Sequence, residues 1–95
     1  MNVRWTDTAL QHLRGIYEYI SQDSPVYARR VIDRVTARSK QIGKFPLLGG
    51  KVREYEADDI REVIERPYRI IYRVRPNQVD ILAVVHAAQL LPPKP

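Results

Sequence analysis

Two residues in the C-terminal half carry chemistry worth placing first. They are Arg69, in the run Tyr68-Arg69-Ile70-Ile71-Tyr72-Arg73-Val74, and His86, which ends the run Val79-Asp80-Ile81-Leu82-Ala83-Val84-Val85-His86. A guanidinium grips phosphate or carboxylate through two parallel N–H bonds, and an imidazole titrating near neutral pH can take or give a proton. One group can hold an anion and the other can move a proton, a pairing that by itself fixes no reaction. The supply stops there. After His86 come Ala87-Ala88-Gln89-Leu90-Leu91, with no arginine and no tyrosine, and Lys94 stands in a proline-rich end. A lone histidine closing a strand is more often structural than catalytic. Other chemical signatures are missing: there is no cysteine, no Gly-rich phosphate loop, no paired catalytic carboxylates and no metal-ligand spacing. Neither a metal nor a cofactor is expected.

Charge points to anionic partners. Lys and Arg number 16 against 11 Asp and Glu, for a net charge of +5, and 12 of the 16 are arginine, the residue suited to bidentate contacts at interfaces. Arg30, Arg34 and Arg38 recur at four-residue spacing, a ridge that could face an acidic segment or DNA; the simpler reading is a solvated helix face, with Asp33 nearby. Tyr17, Tyr27, Tyr68 and Tyr72 could stack on bases, though their periodic positions suit core packing better.

The elements that position these residues follow from periodicity. Val3–Trp5 reads as a short strand. Thr6 is a plausible N-cap, and Leu10, Leu13, Ile16, Tyr17 and Ile20 then make an apolar stripe on a helix running to about Ser21, with His12 exposed between Leu10 and Leu13. Ser24-Pro25 starts a second helix, with Ala28, Val31, Ile32, Val35 and Ile42 as its apolar face and Gly43 expected as its left-handed cap. Two helices so closely joined form an antiparallel hairpin. From Gly49 the period changes to two: Lys51–Tyr55 is a weak strand, while Ile60–Glu65, Tyr68–Arg75 and Val79–Ala87 are strands separated by Arg66-Pro67 and Pro76-Asn77 turns. The expected fold is α+β, a single domain over residues 1–95 with a tail from about residue 88. An N-terminal strand precedes an antiparallel helical hairpin, which packs on one face of a mostly antiparallel sheet of three or four strands.

A turn centred on Pro76-Asn77 sets Arg73 opposite Asp80, Tyr72 opposite Ile81, Ile70 opposite Ala83 and Tyr68 opposite Val85. That register gives the helices one apolar face. It puts Arg69, Ile71, Arg73, Val84 and His86 on the other, an open aliphatic face studded with charge, with Arg69 and His86 diagonal neighbours roughly 7–8 Å apart. Such a face is where a partner could sit.

The order and spacing of Leu13-Arg14-Gly15-Ile16-Tyr17-Glu18-Tyr19-Ile20, Ala28-Arg29-Arg30-Val31-Ile32 and the two strand runs above resemble the ParE branch of the RelE/ParE toxin superfamily, over roughly Val3 to Leu91. The resemblance implies a bacterial toxin of a type II toxin–antitoxin system, associated with plasmid stabilisation and held in a hetero-oligomer by its cognate antitoxin. Its target would be DNA gyrase, and it would not be an enzyme. The sister RelE branch implies an alternative, metal-independent cleavage of mRNA on the ribosome, with Arg69 and His86 as the candidate catalytic pair. A third is an attenuated chain whose only partner is the antitoxin. Antitoxin or target contact is expected at Arg69, Arg73, His86, Ile71, Val84, Arg30 and Arg34. No apolar segment is long enough to target or span a membrane, so a cytoplasmic protein is expected.

Overall fold

The computed structural model describes residues 1–92, so Lys94 lies outside the described residues. Strand β1 (Asn2–Trp5) leads into helix α1 (Asp7–Ser21), then α2 (Pro25–Lys44), a two-residue strand β2 (Gly50–Lys51), and strands β3 (Ile60–Glu65), β4 (Tyr68–Val74) and β5 (Gln78–His86). The strands form one sheet in the order β1-β5-β4-β3-β2. Only β1 is parallel to its neighbour, lying beside β5 from Asn2 against Gln78 to Trp5 against Ile81. The sheet is thus wider than three or four strands, because the first strand and the Gly50–Lys51 fragment both join it.

Both helices start where side-chain caps are available. Thr6 Oγ1 accepts from the Ala9 N–H at 3.1 Å, and Ser24 Oγ accepts from the Tyr27 N–H at 3.1 Å ahead of Pro25 at the first helical position. The end of α2 departs from expectation. The helix runs through Gly43 to Lys44, and no described residue has positive φ. Gly43 is there for closeness: a Cβ would lie 2.6 Å from Val3 Cγ2 and 3.1 Å from the Met1 carbonyl, so only glycine lets β1 rest against α2.

The core lies between the hairpin and one sheet face, where Ala9, Val35 and Ile42 meet Val63, Ile70, Tyr72, Val79, Ile81 and Val84. Helix α1 is rolled relative to the predicted stripe. It turns Ala9, Leu13 and Ile16 inward, while Leu10 and Tyr17 stay exposed and border a groove with Ile32 on the outer side of the hairpin. Tyr72 is fully buried, donating to the Pro46 carbonyl at 2.7 Å and accepting from the Gly49 N–H at 2.9 Å, which pins the loop after α2 to the sheet.

The register matches the prediction at the turn: Val74 opposes Val79, Arg73 opposes Asp80 and Tyr72 opposes Ile81. A bulge follows. Ile71 pairs with Ala83, leaving Leu82 as the extra residue, and from there Ile70 opposes Val84, Arg69 opposes Val85 and Tyr68 opposes His86. One extra residue inverts which side chains face the helices. Val84 therefore belongs to the helix-side core, and His86 follows it to that face.

Candidate functional site

The sheet face turned away from the helices is not open. The chain between β2 and β3 folds across it, and Val52 closes a second small core with Ile60 and Ile71, against which Tyr55, Ala57, Leu82, Ala83 and Leu91 pack. This layer draws Arg69 into a buried ion cluster. Arg69 is 3% exposed. It reaches Glu54 through both terminal nitrogens, at 2.9 Å each, Glu62 through one of them at 2.8 Å, and the Gln89 carbonyl at 3.1 Å. Glu54 also accepts from the Leu91 N–H at 3.1 Å, so the same carboxylate anchors the C-terminal segment.

Such a fork-to-carboxylate pair with a second carboxylate beside it is strong and specific. Hydrogen bonding from Arg69, the largest influence, outweighs the opposing effect of burial and holds the Glu54 carboxyl at about 2, against its ordinary 4.5. The same contacts push the Arg69 guanidinium further up, Glu54 contributing most. Arg69 is permanently charged, and its fork is already occupied by protein carboxylates.

His86 stands on the opposite face. It is exposed, accepts the Ala88 N–H at Nδ1 (3.2 Å), and meets Tyr68 edge to face at a ring separation of 6.3 Å. The bulge at Leu82 is what parts it from Arg69, and the pair expected as diagonal neighbours is separated by the thickness of the sheet. Of the remaining predicted contact residues, Ile71 and Val84 are each 2% exposed, Ile71 under the Val52 layer and Val84 under α1. Arg73 is partly exposed and paired with Asp59 at 3.3 Å. Arg34 and Arg38 are not a free ridge: both reach Glu65, at 3.7 and 3.4 Å, and they donate to the carbonyls of Arg66 and Ile64, tying α2 to the end of β3. Arg30 is exposed.

Three features of the structure escaped the sequence. Glu54 sits in a segment read as weak strand, with no pattern to show that it reaches Arg69. His12, expected to be exposed, is half-buried and accepts the Val84 N–H at Nδ1 (3.2 Å), satisfying the outer edge of β5 where β1 no longer covers it. The neutral ring then carries its proton on Nε2. Its position three residues after Ala9 on the inward side of α1 is the only signal that could have found it. His12 and His86 border one groove of about 440 Å³ between α1 and β5, with Gly15, Tyr19, Tyr68 and Gln89 also lining it. Asp80 is the third. It is 1% exposed, and although burial is the largest single influence and acts to raise its pKa, hydrogen bonds from Arg75, Arg4 and Gln78 together bring it below the ordinary value.

This geometry has relatives. Residues 3–91 match the family described as the ParE toxin of the type II toxin–antitoxin system parDE. The protein Y4kP of Sinorhizobium fredii is 36% identical over 92 residues, covering 95% of this chain and 92% of the relative. Toxin RelE2 of Caulobacter vibrioides is 35% identical over 89 residues, covering 93% and 97%. Among solved structures, the chromosomal ParDE system of P. aeruginosa superposes with a TM-score of 0.74 at 25% identity, and the toxin–antitoxin complex RelBE2 of Mycobacterium tuberculosis with 0.65 at 26%; each covers 90% of this chain and 95% of the other. With nearly every residue from β1 to the C-terminal segment accounted for, the chain belongs to the ParE toxin family of type II toxin–antitoxin systems.

Proposed function

We propose that this toxin acts by binding and inhibiting DNA gyrase, as a non-enzymatic poison, and that a cognate antitoxin neutralises it. One observation carries the reading: Arg69, the strand arginine a nuclease of this superfamily would turn on a phosphate, is buried and held by Glu54 and Glu62, while His86 lies on the other side of the sheet. A phosphorane-like charge needs donors aimed at it and not already committed. Target contact then falls on the exposed candidates His86, Arg30 and the outer side of Arg34, with Arg69, Ile71 and Val84 supporting the fold beneath.

An antitoxin partner is supported by the two solved relatives, a ParDE system and a toxin–antitoxin complex. It is supported also by the shape of the molecule, because among the described residues β5 beyond Ile81 has no strand on its outer side, where His12 caps the Val84 N–H, and the His12–His86 groove runs beside it. Added strands commonly pair with such edges. The test is supercoiling by purified gyrase with increasing toxin. Inhibition at micromolar toxin, relieved by the co-expressed antitoxin, is expected; undiminished supercoiling there would overturn the gyrase reading.

A second reading, ribosome-dependent mRNA cleavage, has two observations in its favour, the 35% identity to a protein named RelE2 and the likeness to the RelBE2 complex. Mapping mRNA ends on translating ribosomes decides it. Cuts in the ribosomal A site that vanish in Arg69→Lys, a change that keeps the charge but not the fork, would establish the nuclease.

A further inference from the structure

At the end of the sheet away from His86, a second polar cluster has no part in the Arg69 site. Asp80 shares a sheet face with its register partners Arg73 on β4 and Arg4 on β1. Its buried carboxylate accepts from Arg4 Nε at 3.2 Å, from Gln78 Nε2 at 2.6 Å and from Arg75 Nε. One guanidinium would neutralise it. Two surround it, while Arg73 turns to Asp59, so the cluster keeps a surplus positive charge.

Arg4 and Arg75 each use only Nε on Asp80, and among the described residues their terminal amino groups have no protein partner. Their side chains are 59% and 49% exposed. Together with Pro76, Asn77 and Gln78 they border a shallow concavity of about 380 Å³. Tethering at Nε removes much of the rotamer freedom that a free surface arginine loses on binding, which leaves two forks pre-organised beside one another. Forks arriving from two different points suit a group whose oxygens lie in more than one plane. A phosphate has them; a planar carboxylate does not.

We propose that Arg4 and Arg75, held by Asp80, form a phosphate-binding site, serving either the phosphodiester of a nucleic-acid strand or a free polyphosphate. The site does not depend on gyrase being the target. Binding of the full chain to a fluorescent single-stranded oligothymidylate, followed by anisotropy over a range of salt, tests it. The Arg4→Gln/Arg75→Gln double variant is expected to bind about tenfold more weakly at low salt, with the log–log salt slope shallower by about 1.4, the value for two lost contacts on a single strand. Arg29→Gln/Lys40→Gln removes equal charge from the exposed face of α2 and is expected to change affinity by no more than about threefold.

Nuclear magnetic resonance of the unaltered chain gives a reading independent of the variants' folding. Arg4 and Arg75 Nε–H signals are expected to move on titration with the oligonucleotide. Movement with pyrophosphate as well assigns the site to phosphate itself, whereas movement with the strand alone assigns it to the nucleic-acid backbone. Equal losses in the two double variants, unmoved Nε–H signals, or displacement of the oligonucleotide by an equal charge of polyglutamate would each overturn the proposal.

Discussion

Two carboxylates face one guanidinium at Arg69, and removing the guanidinium leaves both largely buried without their counter-charge. Breaking a buried ion network from one side costs about 3–5 kcal/mol, so Arg69→Ala is expected to lower unfolding free energy by that order in urea titrations. A loss below about 1 kcal/mol would show that the cluster is solvated in solution. The pH dependence has a definite sign. Glu54 is held at about 2 in the folded chain against 4.5 ordinarily, so below the ordinary value the unfolded chain binds protons that the folded chain refuses. Its contribution is complete above about 4.5 and is lost as pH falls toward 2. Asp80, also depressed, adds in the same direction. The melting temperature should therefore fall across that acidic window, and Glu54→Gln should flatten the fall while lowering the neutral-pH value. An equally steep fall in the variant would assign the acid sensitivity elsewhere.

Two glycines separate packing from propensity at the scale of elements. A Cβ on Gly43 meets Val3 and the Met1 carbonyl, so Gly43→Ala is expected to push β1 from α2 and cost about 1–3 kcal/mol. Gly15 lies in mid-α1 with nothing within 4 Å of a Cβ, so Gly15→Ala should stabilise by about 0.5–1 kcal/mol. Denaturation midpoints moving in the same direction for both would defeat the argument. The contrast also shows where sequence reading stops. Both helix starts were legible because caps and the proline after Ser24 act locally, and the strands from Ile60 onward were legible because alternation is local too. Gly43 looked like a terminator because closeness to residue 3 leaves no mark nearby. The bulge was hidden for a related reason. Ile81-Leu82-Ala83-Val84-Val85 is apolar at every position, so slipping the register by one residue breaks no pattern, yet it moves His86 across the sheet.

At the scale of the whole molecule, the family resemblance could be read from the order and spacing of four residue runs, while the covered sheet face could not, since it depends on a connection with little periodicity meeting the C-terminal segment. That segment is part of the fold: Leu91 packs on the second core and its N–H reaches Glu54. Truncation after Ala88 is expected to cost about 1–3 kcal/mol, the scale of one buried aliphatic side chain, and to raise binding of a hydrophobic dye. Unchanged stability would mean that the segment merely rests on the sheet. The parallel pairing of β1 with β5 carries a different consequence. The second residue of the chain closes the sheet against residue 78, and Met1 ties back to Gly43. Contacts of such separation form late and set slow folding. During synthesis, the strand made first has nothing to pair with until the strand made last emerges from the ribosome. The sheet therefore stays incomplete until β5 has been made and β1 has joined it on its outer side.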